Sequence, residues 1–495
     1  MLAVGAIIRR DVLKLPSLCS FSLPLQAAWS HSAAPTALRP SDRINFSDGK
    51  VFQLKSTWEI LRGLLIFRFC SFPTIVNNSL QMMKFGRRIV GRRLFEAVMR
   101  ASVYGQFVAG ENLSEIQQCM EKLRRMGIHP MLAVPIEEDV GEDKSGEGWY
   151  SKNLDTMLHC VDISSIGGSR SMMQLKVTAL MSADLCKKVT MCMRDPVLAK
   201  ELSMEKLTTV MDGQNSSFSC LTESEKPALS GFTPASQPHW KDGGHASPYG
   251  DCFEHEPFQC TFASAMAPYA KDHGVRVLVD AEYTYLNPAL TLVTMAMMAQ
   301  CNQSEPWIWN TYQCYLKESY DLLCQGIALA DHLGVGFGVK LVRGAYMGKE
   351  RKLAKEKGYE DPINLDWETT NQSYQRSLDK MLELAGRHGN RYNVIVASHN
   401  EESVIHAVRR MHELHIPQDG GAVCFGQLLG MCDQVSLTLG QAGYAVYKSI
   451  PYGSVDDVIP YLVRRAQENQ TVLQGIRKER DLLRRELRRR IFRRS

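Results

Sequence analysis

The chain has 495 residues, 44% hydrophobic and 22% charged, which are ordinary globular values. Its net charge of +5 sits at one end: residues 476–495 hold ten Lys/Arg against three Asp/Glu (+7), leaving −2 for the rest and excluding a nucleic-acid surface on the body. Fourteen scattered cysteines with no C-x-x-C, and the lack of an H-E-x-x-H, argue against a zinc site and a disulfide framework and for a reducing compartment.

Residues 1–40 carry Arg9, Arg10 and Lys14, a single acid in Asp11, and many serines and alanines. No compact apolar stretch with a small-residue cleavage site follows the basic start. This pattern predicts a mitochondrial transit peptide rather than a secretory signal; an ordinary ragged terminus is the alternative. Residues 41–129 read as a helical region. Within it the apolar stretch Ile60–Met83 is broken by Arg62, Arg68 and Pro73. That is too interrupted for a spanning helix and predicts two amphipathic helices, packed on a core or lying at a membrane surface. Arg88–Met126 is expected to be helical, with a turn near Gly105–Glu111.

From residue 130 to 475, short apolar runs alternate with helical stretches. The runs are Met131–Pro135, Met173–Ala179, Val275–Ala281, Trp307–Gln313, Gly338–Ala345, Val394–Ser398, Val423–Leu428 and Tyr444–Ser449. Near-continuous apolar strands imply a parallel sheet covered on both faces, and eight such units predict an α/β (β/α)8 barrel. The runs end in polar or small residues: Glu137, Lys176, Asp280, Gln313, Arg343, His399, Asn400, Gln427 and Ser449. The C-terminal ends of barrel strands are where such folds carry their chemistry, and charge clustered there is hard to explain as packing. Residues 212–256, rich in Ser, Pro and Gly, break the alternation and predict a disordered insertion or a mis-assembled stretch of sequence.

After the last run, the turn Pro451-Tyr452-Gly453 leads into a helix with Ser454 and Asp457 spaced as a cap, and Pro460 predicts a kink or restart. Tyr461, Arg464, Arg465 and Glu468 stand at i, i+3, i+4 and i+7, on one face. That face is either solvated, with an Arg464–Glu468 pair, or a fork of guanidiniums for a small carboxylate, with Glu468 orienting Arg464. Residues 476–495 form a basic C-terminal tail, read as a solvated helical extension with i,i+4 pairs or as a contact for anionic lipid or a partner.

Five motifs occur in order: LVDAE at Leu278–Glu282, KLVRGAY at Lys340–Tyr346, ASHN at Ala397–Asn400, CFGQLLGM at Cys424–Met431 and PYLVRRAQEN at Pro460–Asn469. Together they resemble the proline dehydrogenase family across roughly residues 50–470, the Ser/Pro/Gly stretch excepted, and most of all its hydroxyproline-oxidising branch. The resemblance implies a distorted (β/α)8 TIM-like barrel with N-terminal helices and a C-terminal substrate-binding helix. It implies FAD as cofactor, a cyclic imino acid as substrate, ubiquinone as electron acceptor, and a mitochondrial protein on the matrix side of the inner membrane. The reaction implied is oxidation of trans-4-hydroxy-L-proline to 1-pyrroline-3-hydroxy-5-carboxylate, with weaker activity on L-proline. The alternatives are an ordinary L-proline dehydrogenase and a catalytically silent barrel acting as a binding module.

Carried over by position, Arg464, Arg465 and Lys176 become a carboxylate clamp, Glu468 the acid beside one arginine, and Tyr346, Leu428 and Tyr461 walls around the ring. Asp280 either orients a neighbouring cation or takes part in proton movement; no general base stands out. Gln313, Lys340, Val342, Arg343, Gly344, Ala345, Ser398, His399, Asn400 and Gln427 match flavin-lining positions. Three departures stand out. Lys340 and Arg343 exchange the bases of the bacterial R-L-V-K-G-A-Y-W pattern, Met347 replaces its tryptophan, and Gly426 separates Phe425 from Gln427. At Ser449 proline-oxidising members usually carry tyrosine; serine there leaves space and a hydroxyl that suit a substrate hydroxylated at C4.

Overall fold

The computed structural model describes residues 44–136, 147–168, 170–195, 262–471 and 473–492. The leader read in residues 1–40, the insertion read in 212–256 and Glu137 lie outside them. Eight parallel strands close into a barrel in chain order: β1 (His129–Ala133), β2 (Ser171–Leu175), β3 (Val275–Val279), β4 (Ile308–Gln313), β5 (Phe337–Val342), β6 (Tyr392–Ala397), β7 (Val423–Leu428) and β8 (Val446–Pro451). β8 closes on β1 through pairs such as Met131 with Ser449. All eight expected runs overlap a strand, with ends shifted by up to four residues. The second run overshoots because Val177–Ala179 leaves the sheet as a buried 3-10 turn, so apolarity outlasts extension. The fifth overshoots because Gly344 and Ala345 are an exposed loop.

Side chains alternate between barrel interior and helical shell. Met131, Met172, Leu278, Trp309, Ile395, Cys424, Ala445 and Tyr447 plug the interior. Gly338 is required beside this plug, since a Cβ there would lie 2.4 Å from the Trp309 indole. The opposite faces, such as Val277, Val339, Val394 and Phe425, join the main core under the shell helices.

Ahead of the barrel come α1 (Thr57–Cys70), α2 (Pro73–Asn77), α3 (Ser79–Val90), α4 (Arg92–Ala101), α5 (Val103–Phe107) and α6 (Leu113–Arg125). The expected long helix from Arg88 is divided because Gly91, at φ 74°, ends α3 and opens α4. α1 starts with a capping box, Ser56 and Glu59, and Pro73 starts α2 where its missing N–H costs nothing. The shell helices used below are α7 (Asn287–Cys301), α8 (Met347–Lys357), α9 (Trp367–His388), α10 (Glu401–Glu413) and α11 (Asp433–Gln441).

Two helices close the chain. In α12 (Val455–Thr471) the Ser454 hydroxyl accepts the Asp457 N–H at 3.3 Å, and the helix continues through Pro460 rather than restarting. Ile66, Phe95, Met99 and Phe107 of the N-terminal helices bury Val455, Val458, Tyr461 and Leu462 in a second core, so α12 is roofed by that region. α13 (Leu473–Phe492) is not the solvated extension expected of residues 476–495: Leu482 and Leu483 enter the main core. Its Arg490 donates to the carbonyls of Phe52 and Lys55, at 3.0 and 2.7 Å. The i,i+4 spacing of its charges was legible; that its apolar residues share a core with Val51 and Phe52 near the start of the described chain was not.

Candidate active site

The polar ends of the strands meet at one mouth of the barrel. Lys176 continues β2 in extended conformation, and its Nζ donates to the Ile136 carbonyl at 3.0 Å, which ties it to the loop after β1. Asp280 follows β3 and is ion-paired with buried Lys340 of β5 across the mouth. The pair satisfies two charges that burial would otherwise penalise.

The loops after β3 and β5 are locked together. Fully buried Glu350 of α8 accepts from the N–H and hydroxyl of Thr284, at 2.7 and 2.8 Å. Tyr346, just before α8, packs its ring 4.6 Å from Tyr283, which stacks on Tyr285. Gln313 is held by the same loop: its amide nitrogen donates to the Glu282 carbonyl at 2.9 Å and its oxygen accepts from Asn287 at 2.8 Å. Val342 shares the inward face of Lys340, one pleat on. Arg343 does not stand beside Lys340. Its guanidinium lies 5.1 Å over the Tyr374 ring of α9 and donates to Ser403 of α10 at 2.9 Å. Its second terminal nitrogen is buried with no hydrogen-bond partner among the described residues, and the two residues that follow it in the chain, Gly344 and Ala345, are exposed. A buried cationic donor left open suits an anionic group.

After β6, Ser398 is buried and accepts the Asn400 N–H at 3.1 Å. Asn400 spends its side-chain oxygen capping α10, accepting from Ser403 N at 2.8 Å, so that atom serves the helix. His399 Nε2 accepts the Leu428 N–H at 3.2 Å, which leaves the ring proton on Nδ1. Burial, then the charges of Lys448 and Arg465, push its pKa down to about 3, so the ring is neutral at working pH. Leu428 faces inward; Gln427 does not reach the mouth. It points out toward α11, bonded to Ser436 at 2.9 Å and to the Ser398 carbonyl at 3.3 Å. The insertion of Gly426 reverses its face, since strand side chains alternate.

Above the mouth runs α12. Tyr461 and Arg465 are buried, Arg464 is half-buried, and the Arg465 guanidinium lies 4.9 Å over the Tyr461 ring. The solvated reading of this face therefore fails for Arg465. Glu468 is on the next turn of the same helix, and its side chain lies outside the described part of the structure. Ser449 of β8 is only 4% exposed, and its hydroxyl donates to Gln174 of β2 at 3.0 Å.

Two further features went unread in the sequence. One is Gln174, a polar residue inside MMQLK that shares the face of Lys176 two residues on. The other is Lys448, 1% exposed, which donates to the Leu428 and Met431 carbonyls and pairs with Asp433 at 2.8 Å. A lysine within the apolar run YKSIP was the available signal. Its partner Asp433, and the Lys55 and Glu479 that in turn bind Asp433, are scattered along the chain and could not be assembled from spacing.

A closed parallel barrel with ionisable side chains gathered at the C-terminal mouth is an α/β barrel of the type that binds small molecules there. A family profile described as proline dehydrogenase matches residues 164–478. The chain is 59% identical to hydroxyproline dehydrogenase of Xenopus laevis, over 96% of this chain and 97% of that one. It is 48% identical to hydroxyproline dehydrogenase of Homo sapiens (90% and 93%) and 33% identical to human mitochondrial proline dehydrogenase 1 (94% and 93%). Among solved structures it resembles proline utilization A of Bdellovibrio bacteriovorus with a TM-score of 0.56 at 16% identity, covering 97% of this chain but 42% of that longer one. That likeness concerns the fold alone. The chain belongs to the proline dehydrogenase family.

Proposed function

We propose that this chain oxidises trans-4-hydroxy-L-proline to 1-pyrroline-3-hydroxy-5-carboxylate, and L-proline more weakly, using FAD. The observation that carries the reading is the buried Arg465 held over a mouth lined by Lys176 and the Asp280–Lys340 pair, in a chain closely similar to proteins named hydroxyproline dehydrogenase. Lys176, Arg464 and Arg465 bind the substrate carboxylate by charge-assisted hydrogen bonds. Tyr346, Leu428 and Tyr461 fix the ring between them, so most of the protein's contribution is orientation. The donor set also fits an anionic dinucleotide: Arg343 with its open buried nitrogen, the exposed Gly344 and Ala345, Lys340 and neutral His399. When bound, FAD supplies an acceptor for the hydride that leaves C5 as the nitrogen lone pair closes the C=N bond. Asp280 keeps Lys340 aimed at the mouth, and neutral His399 adds a ring N–H there without charge. Flavin reduction by a panel of cyclic imino acids tests the reading. A higher kcat/KM for hydroxyproline than for proline supports it; a preference for proline, or purified protein with no flavin absorption after FAD is added, overturns it.

The matrix side of the mitochondrial inner membrane is the proposed location and a membrane quinone such as ubiquinone the proposed electron acceptor, with residues 1–40 as the leader. Helices α1, α3 and α4 support the membrane part of this reading. Trp58, Leu61 and Leu65 on α1, Phe85 and Ile89 on α3, and Leu94 on α4 are exposed. Residues 57–101 carry eight Lys/Arg against two Asp/Glu. Apolar ridges flanked by positive charge match an anionic lipid surface. No helix among the described residues is long and apolar enough to cross a membrane.

A further inference from the structure

The barrel interior changes character at one level. The even-numbered strands point Met172, Trp309, Ile395 and Tyr447 into the apolar plug. Two residues further along each, the same face presents Gln174, Thr311, Ala397 and Ser449. Thr311 spends its hydroxyl on the Val279 carbonyl at 2.6 Å, and Ala397 has nothing to offer. The remaining two form a pair across the interior: Ser449 Oγ donates to Gln174 Oε1 at 3.0 Å. Ser449 is buried, whereas Gln174 is half-buried on the mouth side of the plug. Among the described residues the Gln174 amide nitrogen makes no hydrogen bond.

A glutamine inside a barrel core is costly unless both ends are satisfied. Here one end is satisfied, and the other belongs to a half-buried side chain on the inward face two residues beyond the plug. The pair offers one donor, the Gln174 N–H, and one acceptor, a Ser449 lone pair. If the amide is turned over, Gln174 supplies the acceptor and Ser449 the donor, so the complement is unchanged. A hydroxyl needs one of each; a methylene needs neither. Lys176, assigned above to the carboxylate, lies two residues beyond Gln174, about 6.6 Å of strand rise away on the same face. Leu428, assigned to the ring wall, pairs in register with Ser449. A ligand held at its carboxylate by Lys176 therefore lies on the barrel face that also presents Gln174.

The geometry points to Gln174, bridged to Ser449, as the residue that reads the C4 hydroxyl of the substrate. This rests on the hydroxyproline reading above and adds to it a determinant on the second strand. A site built to hydrogen-bond a hydroxyl discriminates strongly against the analogue without it, because its own polar groups are then left unmatched.

The test uses the full-length, FAD-loaded protein and its Gln174→Met and Ser449→Ala variants, with kcat/KM measured for trans-4-hydroxy-L-proline and for L-proline and flavin content measured for each. The hydroxyproline-to-proline ratio falls about ten- to a hundredfold in Gln174→Met, and by a similar factor in Ser449→Ala, with flavin content retained. If Gln174→Met does not fold, Ser449→Ala decides alone, since it deletes only one oxygen of the pair. Variants that keep the wild-type ratio, or lose both substrates in proportion, overturn the role given to Gln174. A wild type that prefers proline defeats the hydroxyproline reading itself, and is scored before any variant is made.

Discussion

Lys448 and Asp433 meet at 2.8 Å in the wall of the barrel, and Lys55 joins the same carboxylate from the N-terminal region. Glu479 of α13 accepts the N–H groups of Cys432 and Asp433 at 2.8 and 3.1 Å, capping α11 from the far end of the chain. Two ammoniums and two carboxylates are buried together, and the first and last helical elements are fastened to the strand that carries Ser449. Burial alone raises the pKa of Asp433, but Lys448 and Lys55 outweigh it and hold this carboxyl below the usual range.

Asp433→Asn leaves two buried cations with one counter-charge fewer and costs about 3–5 kcal/mol of stability. Because the folded carboxyl titrates below its unfolded value, its contribution is present above the ordinary carboxylate pKa, near 4, and is lost as pH falls toward the folded value. In thermal unfolding, the stabilities of wild type and variant should differ fully at pH 6–7, begin to converge only below about pH 4, and meet as pH approaches the folded value.

Arg465→Ala removes a buried cation from the proposed clamp. Loss of a charge-assisted hydrogen bond of about 1.5–3 kcal/mol predicts a ten- to hundredfold fall in kcat/KM, with FAD content kept. Arg465→Lys should not rescue it, since an ammonium cannot reproduce the planar fork stacked on Tyr461. Steady-state kinetics with flavin quantified by absorbance check both; wild-type kinetics in either would misplace the clamp.

Ser449→Tyr inserts a ring where a buried hydroxyl holds Gln174. The kcat/KM for hydroxyproline should fall far more than that for proline, because both the space and the hydrogen-bonding pair are lost. An unchanged substrate ratio would return the chain to ordinary proline oxidation.

The apolar ridge of α1, α3 and α4 should bind vesicles containing about a third anionic lipid and not neutral ones, with binding weakened by salt. Phe85→Glu combined with Ile89→Glu should abolish co-sedimentation. Binding that survives the double substitution, or a dimer that covers this face in solution, would remove it as the membrane contact.

The sequence by itself determined the barrel and the approximate place of each of its strands. Eight apolar runs between helices leave few other ways to bury a parallel sheet; because the runs are apolar on both faces, which side of each strand faces in was decided by closure. It also placed Tyr461, Arg464 and Arg465 on one face of α12, since helical spacing is local. Gln427 was misjudged because the added Gly426 shifts it by one residue, which in a strand is a change of face. Only the tertiary structure decided relationships between distant elements. Asp280 meets Lys340, and Ser449 meets Gln174, because strands far apart in the chain share one interior. Lys55, Asp433, Lys448 and Glu479 converge from both ends of the chain, and the C-terminal helix is core because Leu482 and Leu483 find partners near residue 50. Local pattern records what a residue can bury; which partner it buries against is set by closure of the whole barrel.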